Sequence, residues 1–489
     1  MNLRRWLVLG LILLMATGCD RFSSGDRVLV AKGQFENEFA GPHRFNVVVF
    51  KFPERPVEDN TPKNYIKRLW GLPGELLAIF FGRIFLRTPQ PNEPPFFDDA
   101  NRVEDGQKID PNTLWRKPYM HIDDGKARQA FENGEFTILR KPPSIMLALR
   151  RIVYDNDFQA EDLKGRLDRW NPSQKSNWKA DKGTGFVHEG STDKVDWLRY
   201  QHLHVIRPIE PVPGAKRSLI TDSMDYNNLY HVPADQVGAG GAFNALKPNS
   251  PHWVGDLMLE CNVEVAEPKG EFWFELSKGP FRYRAKWDLA SGQCTLLREG
   301  ADGKVDELGA QPTGVKGPGS YMLRLANVDA RLTVWVDRQL PFGDGVEYDP
   351  PEVRGKNDKG DAETIKKLVE ARRGPTENDL EPASIGSKGA NVKVSHVRLW
   401  RDTYYTTRAG DSDYDDNVAR SDWSSPTRFE VLRKPRYTTL FVQSGHYLCL
   451  GDNSQASSDG REWGVVPERL LLGRALVVYF PFDRMGPIR

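Results

Sequence analysis

Cysteine is scarce, with four residues (Cys19, Cys261, Cys294 and Cys449) in a chain of 489. That is few for an exported protein of this size, and no pair has the spacing of metal ligands. No metal or other cofactor is therefore expected. An excess of charge is also lacking: 68 Lys and Arg stand against 67 Asp and Glu. This balance excludes the broad basic face that nucleic acids require, so none is expected as a partner. Long apolar runs are missing too. The one membrane-directed stretch, Trp6 to Met15, is about half the roughly 20 residues of a spanning helix. No internal repeat is evident. What the chain does have is Gly, Pro, Trp, Tyr and Phe in abundance, the composition of a strand-rich fold with many turns.

The N-terminus carries Arg4 and Arg5, then the short apolar run, then Ala16, Thr17 and Gly18 directly before Cys19. A basic n-region with a short apolar h-region is the pattern of an export signal. The small residues before Cys19 resemble a bacterial lipobox, which implies diacylation of the Cys19 thiol and cleavage just before it. The alternative is an uncleaved, short membrane anchor. Of the remaining thiols, Cys261 and Cys294 fall on nearby predicted strands, where they either pair or stay as two buried free thiols.

Beyond the signal, strand-like runs appear at Arg27 to Ala31, Asn46 to Pro53 and Leu76 to Arg87. Thr88 to Asp110 is rich in Pro, Asn and Asp and reads as loop. Phe136 to Tyr154 holds a further strand and a short helix, and Trp170 to Lys194 is polar and irregular. From about Ser218 the pattern changes to repeated two-residue alternation. In "LMLECNVEV", Leu257, Leu259, Cys261, Val263 and Val265 share one face, which is the period of a half-buried antiparallel strand. Six or more such runs predict a β-sandwich. Asp361 to Arg373 is its one clear helix.

Two distant segments carry the chemistry. They are "NYIKRLWGLPGE", Asn64 to Glu75, and "LCLGDNSQASSDGREWGVVPERLLLGRALVVYFP", Leu448 to Pro481. Together with "GDRVLVAK" and "NVVVFKFP", and in this order, they resemble the type I signal peptidase family. That resemblance implies a serine hydroxyl that attacks the peptide carbonyl after an Ala-x-Ala-like sequence, and a lysine that takes its proton. A lysine does this only if neutral near pH 7, and burial depresses its pKa by roughly 3–5 units at the extreme. On the family pattern Lys67 is the general base and Ser457 orients its amine. Gly451, Asp452, Asn453, Asp459 and Arg461 support the site.

The departures from the pattern are specific. Ser454 stands where an Arg usually follows Gly-Asp-Asn, and Gly460 replaces the Ser of Asp-Ser-Arg. The larger departure is upstream. The family places its nucleophile in Ser-Met-x-Pro-Thr-Leu, nine residues before the Asp of "GD", and that position here is Thr17. The oxyanion-donor serine expected two residues earlier is Met15. Ser23 and Ser24 are weak substitutes, displaced by roughly 20 Å in extended chain.

Between the two segments the strand pattern resembles laminin-G/concanavalin-type jelly rolls, which implies a glycan or protein partner. Trp273, Tyr283, Trp287, Trp335 and Trp400 are candidate ligand-facing aromatics, although most strand aromatics are core. No paired-carboxylate glycosidase motif is present. The expected fold is mainly β: a signal-peptidase-like antiparallel fold interrupted by an inserted β-sandwich (jelly roll). The expected order is signal or anchor (1–19), first signal-peptidase-like part (20–215, irregular over about 88–200), sandwich (216–406) and second part (407–489). The expected function is a membrane-anchored, extracytoplasmic pseudopeptidase that binds extended signal-peptide-like segments. The alternative is an active, divergent signal peptidase with Lys67 as base.

Overall fold

The computed structural model describes residues 26–32, 41–52, 63–88, 103–104, 107–108, 125–159, 168–173, 175–181, 183–190, 193–204, 206–207, 216–222, 230–231, 252–355, 358–409, 411–414, 423–454 and 457–489. Thr17, Cys19, Ser23 and Ser24 lie outside the described residues. The chain divides into two compact units, one formed by residues up to Ile66 with Leu470–Arg489, the other by Lys67–Arg469.

In the first unit the strand Leu471–Phe480 lies between Arg27–Lys32 and Val47–Phe52, antiparallel to both. Val48 and Phe50 are fully buried, and Tyr65 packs its ring on Phe52 at 4.6 Å. Gly473 (φ +154°) sits where the strands pinch together: a Cβ there would lie 2.2 Å from the Ala31 carbonyl oxygen. Only glycine tolerates that approach.

The second unit contains several sheets. Arg68, Leu69 and Gly71 pair with Leu450, Cys449 and Leu448, and the strand His446–Leu450 pairs in turn with Val466–Pro467. A four-stranded sheet runs Tyr437–Phe441, Leu76–Phe80, Arg83–Arg87, Thr137–Ile138. Its central hairpin turns on Phe81 and Gly82, both at positive φ (54° and 77°), the backbone of a tight I′-type connection.

Two larger sheets form the sandwich. One sheet of seven runs Trp170–Pro172, Asp196–Tyr200, Ala383–Lys388, Glu271–Lys278, Phe281–Asp288, Gln293–Glu299, Val305–Pro312. The facing sheet of eight is centred on Val392–Arg401, Leu257–Val265, Gly319–Val328 and Arg331–Val336. The fold is mainly β, as the alternation predicts. Leu257, Leu259, Cys261, Val263 and Val265 are all buried on the inner face against Phe272, Phe274 and Trp287 of the other sheet. Met258 and Glu260, on the opposite face, are buried as well. The helix Pro143–Leu149, started by a proline in its first turn, covers Met258 with Met146. The Ala362–Arg372 helix is capped by Asp361, whose carboxylate accepts from Thr364 N at 2.8 Å.

The sandwich takes in more chain than alternation predicts. Arg151–Asp155 pairs with Val392–Arg401, and four strands from 170–200 extend the two sheets. The stretches expected to be irregular, about 88–200 and Trp170 to Lys194 within it, therefore supply sandwich strands, and these begin well before residue 216. The strands from 170–200 are three to five residues long, too short to display a period against their polar surroundings. Cys261 and Cys294 are free, buried thiols. Burial pushes both thiol pKa values up.

Buried charges tie the hairpin to the sandwich. Arg83 reaches Asp256 with two hydrogen bonds (2.5 and 2.8 Å) and Glu352 with one (2.9 Å). Lys278 bridges the same two carboxylates, and Lys141 bridges Asp329 and Asp402. The carboxylates of Asp256, Asp329 and Asp402 converge within 4.8 Å of one another. Arg83 and Lys278 pair with Asp256, and Lys141 pairs with Asp329 and Asp402, so side-chain cations offset much of the cluster's charge.

Candidate functional site

Lys67 lies midway along the strand Lys63–Gly71, half-buried, between the exposed Ile66 and the buried Arg68. The antiparallel partner strand pairs Leu450 with Arg68 and thereby delivers the turn that starts at Gly451. Lys67 Nζ donates to Ser457 Oγ at 2.8 Å. Desolvation by burial lowers the lysine pKa; the Asp459 and Asp452 carboxylates oppose this, and the Arg461 guanidinium reinforces it. A lysine so placed is shifted towards the neutral amine that a general base must be.

The surrounding motif residues hold this pair by explicit contacts. Arg68, 2% exposed, grips Asp452 bidentately (2.7 and 2.9 Å). Asp459 is fully buried; it accepts from Gly451 N at 2.9 Å and from Arg461 N, Nε and Nη2 at 3.1, 2.9 and 2.8 Å. Arg461, also fully buried, gives its other donors to Ser454 and Thr406. Asn453 borders a polar cavity with Arg151, Asp222, Arg401 and Ser454. The structure thus brings together Lys67, Ser457, Gly451, Asp452, Asp459 and Arg461 from segments 384 or more residues apart.

Sterics explain the glycines. A Cβ on Gly451 would lie 1.9 Å from Ser457 Oγ and 3.4 Å from Lys67 Nζ, so a side chain there would evict the serine. A Cβ on Gly460 would meet Leu448 Cδ1 at 2.7 Å and the Cys449 carbonyl at 2.9 Å, which accounts for Gly in place of the usual Ser. Ser454, in place of Arg, accepts from Arg461 Nη1 through its hydroxyl at 2.8 Å.

Two contributors escaped the sequence reading. Arg151 Nη2 donates to the Asp452 carbonyl at 2.8 Å, and Thr406 Oγ1 accepts from Arg461 Nη1 at 2.9 Å. Both come from the sandwich or its exit. Neither lies in a motif, and sequence distance hides the contact. The aromatic candidates divide: Tyr283 and Trp287 are fully buried and Trp335 is 3% exposed, so these are core. Trp273 and Trp400 are half-buried, beside Lys286 and Arg150 respectively.

The site is thus a half-buried lysine of lowered pKa held by a serine hydroxyl beside antiparallel strands. The family described as signal peptidase, peptidase S26, matches residues 19–123 and 384–480. Over these two segments the chain is similar to type I signal peptidases, in divergent form. A probable signal peptidase I-2 from Synechocystis sp. is 46% identical over 102 residues, 21% of this chain and 38% of that protein. Signal peptidase I from Haemophilus influenzae is 27% identical over 154 residues, 29% of this chain and 37% of that protein. The chain spans less than two fifths of the length of the curated relatives it matches. Among solved structures, the carbohydrate-binding module CBM66 from Bacillus subtilis covers 48% of this chain at 10% identity, with a TM-score of 0.26. Among the described residues no helix is long and apolar enough to cross a membrane.

Proposed function

We propose that this chain is a signal-peptidase-like protein that receives extended, signal-peptide-like segments beside Lys67 and does not cut them. One observation carries the reading: the base half of the site is assembled, with Lys67 Nζ 2.8 Å from Ser457 Oγ, in a chain with no Ser-Met-x-Pro segment before Gly25-Asp26. A base without a positioned hydroxyl holds a peptide but forms no acyl-enzyme. On this reading the protein is held at the outer side of the membrane by its N-terminus, with Cys19 lipidated, and the sandwich contacts a glycan or protein partner.

A second reading is favoured by the same 2.8 Å contact. A lysine already held by its serine needs only a hydroxyl at about 3–3.5 Å to cleave signal peptides. Thr17, Ser23 or Ser24 would then supply it.

The test offers the membrane form a preprotein with an Ala-x-Ala site, alongside Lys67→Ala, Thr17→Ala, Ser23→Ala and Ser24→Ala variants. Peptide binding without processing is the expected result. Processing that disappears in Lys67→Ala overturns it, and the hydroxyl variant that also loses processing names the nucleophile. Intact-mass analysis of the N-terminus decides lipidation: a chain that retains Thr17 refutes it.

A further inference from the structure

After its last long strand, Val392–Arg401, the sandwich returns the chain to the signal-peptidase portion through residues 402–407. This return is anchored: Asp402 N donates to the Asp256 carbonyl at 2.9 Å and Tyr405 N to the Gly82 carbonyl at 3.0 Å. Thr406 follows, 1% exposed. Its hydroxyl donates to the Arg408 carbonyl at 2.5 Å and accepts from Arg461 Nη1 at 2.9 Å.

The donor inventory of Arg461 gives this contact its weight. A guanidinium has five N–H donors and no acceptor. Nε and one Nη2 donor go to Asp459; the other Nη2 donor and one Nη1 donor go to Ser454. The last Nη1 donor goes to Thr406, at its hydroxyl and, more distantly, its carbonyl (3.3 Å). Without Thr406 a fully buried charged group keeps an unmatched donor, and it gains by shifting towards another acceptor. Arg461 shares Asp459 with Gly451 N, and Gly451 abuts the Ser457 hydroxyl that receives the Lys67 amine. The Tyr405 ring lies 5.8 Å from the same guanidinium and packs edge-on against Trp70 at 5.1 Å.

We infer that Thr406, a residue of the inserted module's return segment, is a positioning residue of the Lys67 site, acting through Arg461 and Asp459. The inference rests on the reading of Lys67 as a base. On this account the sandwich is a structural part of the site. Among the described residues, the charged and titratable groups that act on Lys67 include Asp459, Arg461, Asp452 and Cys449. Asp459 draws the lysine proton in and Arg461 repels it, so a guanidinium that moves off leaves the carboxylate less compensated and the amine more basic.

The experiment acylates the full chain with an amine-specific reagent across a pH series and follows Lys67 by peptide-resolved mass spectrometry. Thr406→Val keeps shape and removes the hydroxyl. It is expected to leave roughly three- to tenfold less neutral Lys67 amine at a given pH, an upward midpoint shift of about 0.5–1 unit. Thr406→Ser restores the original profile. Leu296→Ala, in the sandwich core, destabilises the module without touching Arg461 and leaves the midpoint in place. A Thr406→Val profile that matches the parent overturns the inference, as does an equal shift in Leu296→Ala. Thr406→Ala repeats the test if the valine variant does not fold. Loss of peptide binding from the parent protein sinks the peptide-receiving function and leaves this readout standing.

Discussion

Gly451→Ala tests whether the Lys67 site is built by close approach. The new Cβ would lie 1.9 Å from Ser457 Oγ and 2.5 Å from its Cβ. Ordinary contact begins near about 3.5 Å, so Ser457 must retreat by roughly 1.5 Å. A hydrogen bond of 2.8 Å to Lys67 does not survive that displacement. Overpacking of a well-packed site costs about 1–3 kcal/mol, and the lost hydrogen bond adds about 1 kcal/mol. The expected destabilisation is therefore about 2–4 kcal/mol. Chemical denaturation of the parent, Gly451→Ala, Ser457→Ala and the double variant completes a cycle that isolates the coupling. Because Ser457→Ala removes the atom struck first, the double variant should cost about 1 kcal/mol less than the sum of the single changes. Strict additivity, or a Gly451→Ala cost below about 0.5 kcal/mol, would refute the reasoning.

Two further outcomes follow from buried charge. Arg83→Met leaves Asp256 and Glu352 with Lys278 as their remaining bridging cation, and an uncompensated buried carboxylate costs about 3–5 kcal/mol; denaturation midpoints check this, and Arg83→Met with Glu352→Gln should recover part of the loss. For Lys67 the folded-state pKa is lowered, so the folded chain binds fewer protons there than the unfolded chain at pH values between its lowered pKa and 10.5. Its contribution to stability then rises with pH through that window and is least favourable below it, so Lys67→Met should flatten the pH dependence of the denaturation midpoint; an unchanged slope contradicts the assignment.

The two parts of the molecule differ in how much their residues reveal. Local pattern was enough for the Leu257–Val265 strand, the Asp361-capped helix and the motif positions Lys67, Gly451, Ser457, Asp459 and Arg461, because alternation, capping and motif chemistry act over a few residues. The strands from 170–200 were not legible: they owe their extension to neighbours in the sheets and not to their own composition. Trp287 and Tyr283 read equally as core or as ligand-facing until the opposing sheet buried them.

The same division holds at the site. The sequence by itself determined which residues stand at the motif positions and that no Ser-Met-x-Pro segment precedes Gly25-Asp26, since both are matters of residue identity at fixed offsets. Only the tertiary structure decided how those side chains are held. Thr406 and Arg151 join the site through hydrogen bonds across 55 and 301 residues. The need for Gly451 and Gly460 comes from atoms that approach only in the folded chain. A hydrogen bond depends on distance in space, and distance along the chain does not encode it.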